Sequence, residues 1–110
     1  MAHVLHQPFL DAVDACAAAC NHCAGACLQE PDPAPMAACI ALDIDCAALC
    51  QLTAATVARG GVSAKVLAKA CGEVCTACAA ECERHPMDHC QRCAAACTRC
   101  ADACREFAAA

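Results

Sequence analysis

The chemistry in this sequence lies in its cysteines. Of 110 residues, 16 are Cys, beside five His, three Met and twelve Asp and Glu. They fall in rows. Cys16, Cys20, Cys23 and Cys27 are spaced 4-3-4, as are Cys71, Cys75, Cys78 and Cys82. Cys90, Cys93, Cys97, Cys100 and Cys104 run 3-4-3-4. A shorter row, Cys39, Cys46 and Cys50, is spaced 7-4, and Asp43 stands at the position it skips. Steps of three and four return to one face of an α-helix, and at about 100° per residue four such residues fall within roughly 60° of arc. Each helix then carries thiols where a coiled-coil helix carries its Leu seam.

Several chemistries fit cysteine, and the spacing separates them. Cys acting only as a small hydrophobe would bring an oxidation risk that Ala, Leu or Val avoids. Disulfides between helix neighbours are disfavoured, because i, i+4 Cβ atoms lie about 5–6 Å apart and a disulfide wants about 3.5–4.5 Å. Discrete Cys₄ zinc sites draw pairs of ligands from loops, with gaps between pairs, whereas these ligands continue along whole helices. A C-x₂-C-x₂-C-x₃-C-P run of the iron–sulfur kind is not present. The spacing suits two thiolates gripping one ion, and soft thiolates favour Cu(I). Charge points the same way. Each Cu⁺ replaces one thiol proton, so a core holding one ion per sulphur stays near neutral. Zn²⁺ at that ratio would bury about sixteen excess charges, which a low-dielectric interior does not tolerate.

The rows need four helices to hold them. Pro31-Asp32-Pro33-Ala34-Pro35, Gly60-Gly61 and His85-Pro86 break the chain, since Pro and Gly end helices. Between the breaks lie Ala-rich segments at about 8–28, 34–58, 63–84 and 88–107, with Pro8 suited to a first turn and Ser63 to an N-cap. Residues 1–7 are expected to form a short arm. The predicted fold is all-α: one up-down-up-down four-helix bundle spanning 1–110, with a cysteine-lined core about 20 Å deep. Leu, Ile, Val and Phe make up only 17 residues, while Ala supplies 31, so cysteine has to fill most of the interior.

Composition also excludes functions. Seven Lys and Arg against a net charge of −5 argue against nucleic acid, which is held by clustered basic residues. No uncharged run of 18 or more apolar residues is present, so no membrane span is expected. The first residues carry no basic n-region, and Asp11 and Asp14 interrupt the apolar stretch. An export signal is therefore not expected, and a reducing cytosol suits the thiols.

These motifs resemble the bacterial cytosolic copper storage proteins over about residues 8–107. The resemblance rests on the Cys-x-x-x-Cys stripes, on Asp45-Cys46-Ala47-Ala48-Leu49-Cys50, and on the run from Cys71 to Cys82 followed by His85-x-x-x-His89-Cys90. It implies a four-helix bundle holding many Cu(I) ions and assembling as a homotetramer. It also implies a cytosolic protein, because the exported branch carries a twin-arginine signal that this sequence lacks. The three-cysteine row departs from the pattern of the others. The alternatives are a broad Zn or Cd buffer and a thiol redox enzyme using Cys20-x-x-Cys23 or Cys75-x-x-Cys78. The enzyme reading is weak, because such a pair belongs at a helix N-terminus beside a βαβ unit.

Other residues complete the candidate site. Asp43 falls on the inward face and needs a partner there, either a metal ion or a neighbouring thiol. An up-down-up-down bundle gathers Cys27, Met36, Cys39, Cys82, His85, Met87, His89 and Cys90 at one end. It gathers Phe9, Val13, Val57, Leu67 and Phe107 at the other. The first end reads as a mouth of soft and borderline ligands and the second as an apolar plug. His85 and His89 share a face if the fourth helix begins early enough, whereas His3, His6 and His22 read as surface residues. Ala37, Ala41, Ile44, Ala48, Leu52 and Ala55 form an outward apolar stripe on the second segment. That stripe predicts a homo-oligomer through the first two helices. A copper chaperone is a candidate partner, and no catalysis is expected.

Overall fold

A computed structural model describes residues 5–110. Four α-helices follow one another: α1 (Gln7–Leu28), α2 (Ala37–Ala58), α3 (Ala64–Glu83) and α4 (Asp88–Ala109). Among the described residues there is no β-strand. Pro8 lies in the first turn of α1, where its missing N–H costs nothing. Gly60 ends α2 in the left-handed region at φ 67°, and the Gly61 N–H donates to the Thr56 carbonyl at 2.9 Å. This is the αL stop that glycine makes cheap.

The expected segments differ from these helices at their ends. The second segment opens with a 3₁₀ turn, Ala34–Met36, before α2 begins, because the prolines deny it regular α-helical hydrogen bonds. The fourth segment continues to Ala109. Ser63 precedes α3, but its hydroxyl makes no capping bond; its carbonyl instead accepts from the Leu67 N–H at 2.9 Å. The expected arm is described only from residue 5, and His3 lies outside the described residues.

Each helix packs along its neighbours in sequence, and α4 closes the ring against α1. The result is a rod of 54 × 19 × 19 Å. With so little Leu, Ile and Val, close approach comes from Ala and Gly. A Cβ placed on Gly72 of α3 would meet the Cys104 Cβ of α4 at 3.2 Å. The stretch Ala34–Ala58 is long and apolar enough to cross a membrane by length and composition, which the sequence reading had not anticipated. It is apolar on two sides. Its inner row is buried in the bundle, and its outer row carries Ile44 and Leu52, each about half exposed.

Candidate metal centre

All 16 cysteines are free, and each has no exposed surface. The stripes merge into one column along the bundle axis, and the sulphur contacts give its order. At one end Cys27 lies 3.7 Å from Cys90 and Cys39 lies 3.3 Å from Cys82, sulphur to sulphur. Next come Cys20 with Cys97 at 3.5 Å and Cys93 at 3.7 Å. In the middle, Cys46 meets Cys75 at 3.5 Å, and Cys16 meets both at 3.9 Å. At the far end Cys50 meets Cys71 at 3.6 Å, and Cys100 meets Cys104 at 4.0 Å.

These distances decide what the column can hold. The i, i+4 pairs, such as Cys16–Cys20 and Cys78–Cys82, stand 4.0 Å apart, well beyond the roughly 2.05 Å of an S–S bond. Two sulphurs bound to one ion at about 2.3 Å each are about 3.8 Å apart at a tetrahedral angle and about 4.6 Å apart when collinear. The contacts lie close to the tetrahedral spacing and short of the collinear one, so two-coordinate ions would spread the sulphurs by up to about 1 Å. Its four-thiol groups also overlap. Cys16, Cys46, Cys50 and Cys75 form one, and Cys16, Cys20, Cys46 and Cys97 form another. Independent closed Cys₄ sites cannot all form from shared ligands, whereas bridging thiolates can serve adjacent ions. Burial favours the protonated thiol at two outer positions: Cys90 is pushed up to about 11 and Cys39 is also raised, chiefly by desolvation. A soft cation that displaces the proton removes that penalty.

Asp43 is fully buried within the column. Its carboxylate accepts from Cys78 at 3.2 Å, Cys93 at 3.3 Å, Cys82 at 3.5 Å and, weakly, Cys39 at 3.8 Å. The thiol partner that the sequence demanded is therefore present. Burial is the main cause that pushes Asp43 up to about 6; Cys93 adds to the rise, while hydrogen bonds from Cys23 and Cys78 oppose it. The folded carboxyl thus holds its proton to higher pH than the unfolded chain does. Its contribution to stability is full below about pH 4 and is lost as pH rises through about 6, amounting to at most about 3 kcal/mol. In thermal melts of the reduced, metal-free protein, Asp43→Asn is expected to flatten the fall in stability between pH 4.5 and 7. An unchanged slope would place that pH dependence elsewhere.

The mouth residues divide. His89 stands over the outermost thiols, with Nδ1 3.5 Å from Cys90 Sγ, 3.7 Å from Cys23 Sγ and 3.8 Å from Cys27 Sγ. Its Nε2 lies 3.1 Å from Glu30 Oε1. His85 differs, because its Nε2 is bound to Glu81 at 2.8 Å and none of its polar contacts among the described residues is with a sulphur. Since α4 begins only at Asp88, His85 lies before the helix and the two histidines share no helical face. Met36 is buried against the core and Met87 is half-buried beside it. The opposite end is apolar. Phe9 stacks on Phe107 with centroids 4.8 Å apart, and Val13 and Val57 are buried while Leu67 is partly so. His6, expected at the surface, is half-buried with its ring edge on Phe107 at 5.0 Å; His22 is exposed.

Two residues escaped the sequence reading. Thr53 continues the inward row of α2 below Cys50 and is fully buried, its hydroxyl returned to the Leu49 carbonyl at 2.7 Å. Its place three residues after Cys50 was the available signal. Glu30 lies beyond the end of α1, where helical periodicity says nothing about its side chain.

Comparison with known proteins agrees with this geometry. A cysteine-rich protein of Bacillus subtilis, YhjQ, is 40% identical over 94 residues, covering 86% of this chain and 87% of that one. A cytosolic copper storage protein from Streptomyces lividans, solved with five coppers, superposes with a TM-score of 0.91 at 40% identity, covering 94% of this chain and 92% of the other. The Cu(I)-bound copper storage protein BsCsp3 gives 0.90 at 38% identity, with 93% and 96% covered. The family model for copper storage proteins matches residues 2–109, and this chain, with its thiol column, belongs to that family.

Proposed function

We propose that the chain works as one four-helix unit that stores Cu(I) in the cytosol, without catalysis, as a stack of ions bridged by Cys16, Cys20, Cys23, Cys27, Cys39, Cys46, Cys50, Cys71, Cys75, Cys78, Cys82, Cys90, Cys93, Cys97, Cys100 and Cys104. The observation that carries this is the overlap of the four-thiol groups. It suits a monovalent soft ion that shares ligands and neutralises one thiolate each. A Zn or Cd buffer filling the same shared sulphurs would bury positive charge beyond what the thiolates neutralise. The relatives solved with copper, among them the Streptomyces lividans protein loaded with ten equivalents, support the reading.

Asp43 then has two roles. Without metal it accepts thiol protons, and with Cu(I) in place it ligates an ion or keeps a hydrogen bond to a remaining thiol. Copper enters and leaves at the end bearing Met36, Met87 and His89, with His85 beside them, because the other end is capped by Phe9 and Phe107. Neutral imidazole and thioether hold Cu(I) more weakly than thiolate does, which suits capture and onward transfer. A soluble copper donor such as a chaperone is the partner this mouth would meet.

Changing Met36, His85, Met87 and His89 together to Ala is expected to slow Cu(I) exchange with a chromophoric chelator. Capacity should fall by no more than a few ions. Unaltered exchange, with slowing instead when Phe9 and Phe107 are enlarged or charged, would place the opening at the other end.

A further inference from the structure

Two histidines near the mouth are each paired with a carboxylate, and the pairs are built differently. Glu81 and His85 are i, i+4 neighbours on the flank of α3. Glu30 and His89 come from neighbouring helices far apart in sequence, the end of α1 and the start of α4. Glu30 follows α1, with its backbone N–H donating to the Cys27 carbonyl at 3.2 Å and Pro31 stiffening the chain after it. His89 lies in the first turn of α4. The His89 side chain is 15% exposed and that of Glu30 is 30% exposed, so the pair is shielded without being sealed.

A neutral imidazole donates from one nitrogen and accepts at the other, while a carboxylate only accepts. Glu30 Oε1 at 3.1 Å from Nε2 therefore calls for the proton on Nε2. The Nδ1 lone pair is left facing Cys23, Cys27 and Cys90 at 3.7, 3.8 and 3.5 Å. Metal-binding histidines commonly show this arrangement, in which an outer carboxylate fixes the tautomer and ring and raises ligand basicity. The backbone bond from Glu30 to Cys27 ties the carboxylate to the helix end that supplies one of the three thiols.

We infer that Glu30 is a positioning residue: it holds His89 so that Nδ1 completes a mixed sulphur–nitrogen site with Cys23, Cys27 and Cys90 for the incoming soft monovalent cation. This rests on the reading that copper passes this end of the bundle. No such role falls to Glu81, whose histidine faces no thiol.

The test is a double-mutant cycle read by stopped-flow transfer of Cu(I) from a chromophoric chelate to the reduced full-length protein, with saturating capacity measured in parallel. Glu30→Leu is expected to slow uptake about tenfold, the lower end of the effect of removing an outer partner of a metal ligand. In a His89→Ala background the same change should add nothing. Glu30→Gln, whose amide oxygen still accepts from Nε2–H, should keep most of the rate. Equal slowing by Glu30→Leu with and without His89 would overturn the inference, since the effect would then bypass the imidazole. Slowing by Glu30→Gln as large as that by Glu30→Leu would also overturn it, by showing that negative charge and not orientation matters. If His89→Ala slows uptake and Glu30→Leu does not, the inference fails alone. If His89→Ala has no effect, the reading of the mouth fails and the inference falls with it.

Discussion

Anaerobic titration of the reduced protein with Cu(I), in competition with a chromophoric chelator, is expected to saturate at about 16 ions per chain, with a few more on His and Met. The ratio follows from two-coordinate ions and sulphurs that each bridge two of them. The structure favours shared ligands because contacts of 4.0 Å or less join Cys93, Cys20, Cys97, Cys16, Cys46, Cys75, Cys50, Cys100 and Cys104 in turn, and Cys23, Cys27, Cys39 and Cys90 form a further four-thiol group at the mouth. Asp43 interrupts the thiols of α2 at one level only, and there it faces Cys78, Cys82 and Cys93. Saturation near four ions would mean discrete Cys₄ sites and would refute the column. Zn²⁺ offered in the same way should stop well short of the Cu(I) ratio, since each ion beyond neutrality adds buried positive charge.

The second large effect concerns assembly. Ala37, Ala41, Ile44, Ala48, Leu52 and Ala55 are all exposed on the outer side of α2, and Ile44 and Leu52 leave 54% and 50% of their surface open. A helix face of small residues flanked by two large apolar ones lets a second copy approach closely and bury both. The wild-type protein is expected to sediment as a homotetramer, with α1 and α2 at the contact, and Ala48→Glu to sediment as monomers. A buried carboxylate without a partner costs several kcal/mol and occurs at every symmetry-related contact. A tetramer that persists in Ala48→Glu would move the interface to another face. On α4 the equivalent outward positions include Arg92, Arg99, Asp102 and Glu106, all exposed, and such a charged surface suits solvent.

Most of the column was legible from spacing because helical periodicity is a local rule: a 4-3-4 row can face only one way, and four rows with short connections can meet only on one axis. Asp43 was legible for the same reason, since it occupies a place in a row. What lay between elements was not. Whether His85 or His89 reaches the thiols depends on where α4 starts, and the turn at Pro86 sets that start at Asp88. Glu30 meets His89 between neighbouring helices, 59 residues apart in sequence. The 3₁₀ turn at Ala34–Met36 reflects competition between Ala propensity and proline geometry that composition alone does not resolve.

The stacked rings of Phe9 and Phe107 have a consequence for time as well as for space. A column with a single mouth, capped at its base by two stacked rings, is a stack in the sense of a pushdown memory. On the reading that copper passes only the mouth, ions that arrive first and migrate to Cys71, Cys100 and Cys104 are covered by those that follow, and the last to arrive are the first withdrawn. Such a store keeps a record of its filling. If one copper isotope is loaded before another, the early isotope is enriched in the fraction that a chelator removes last.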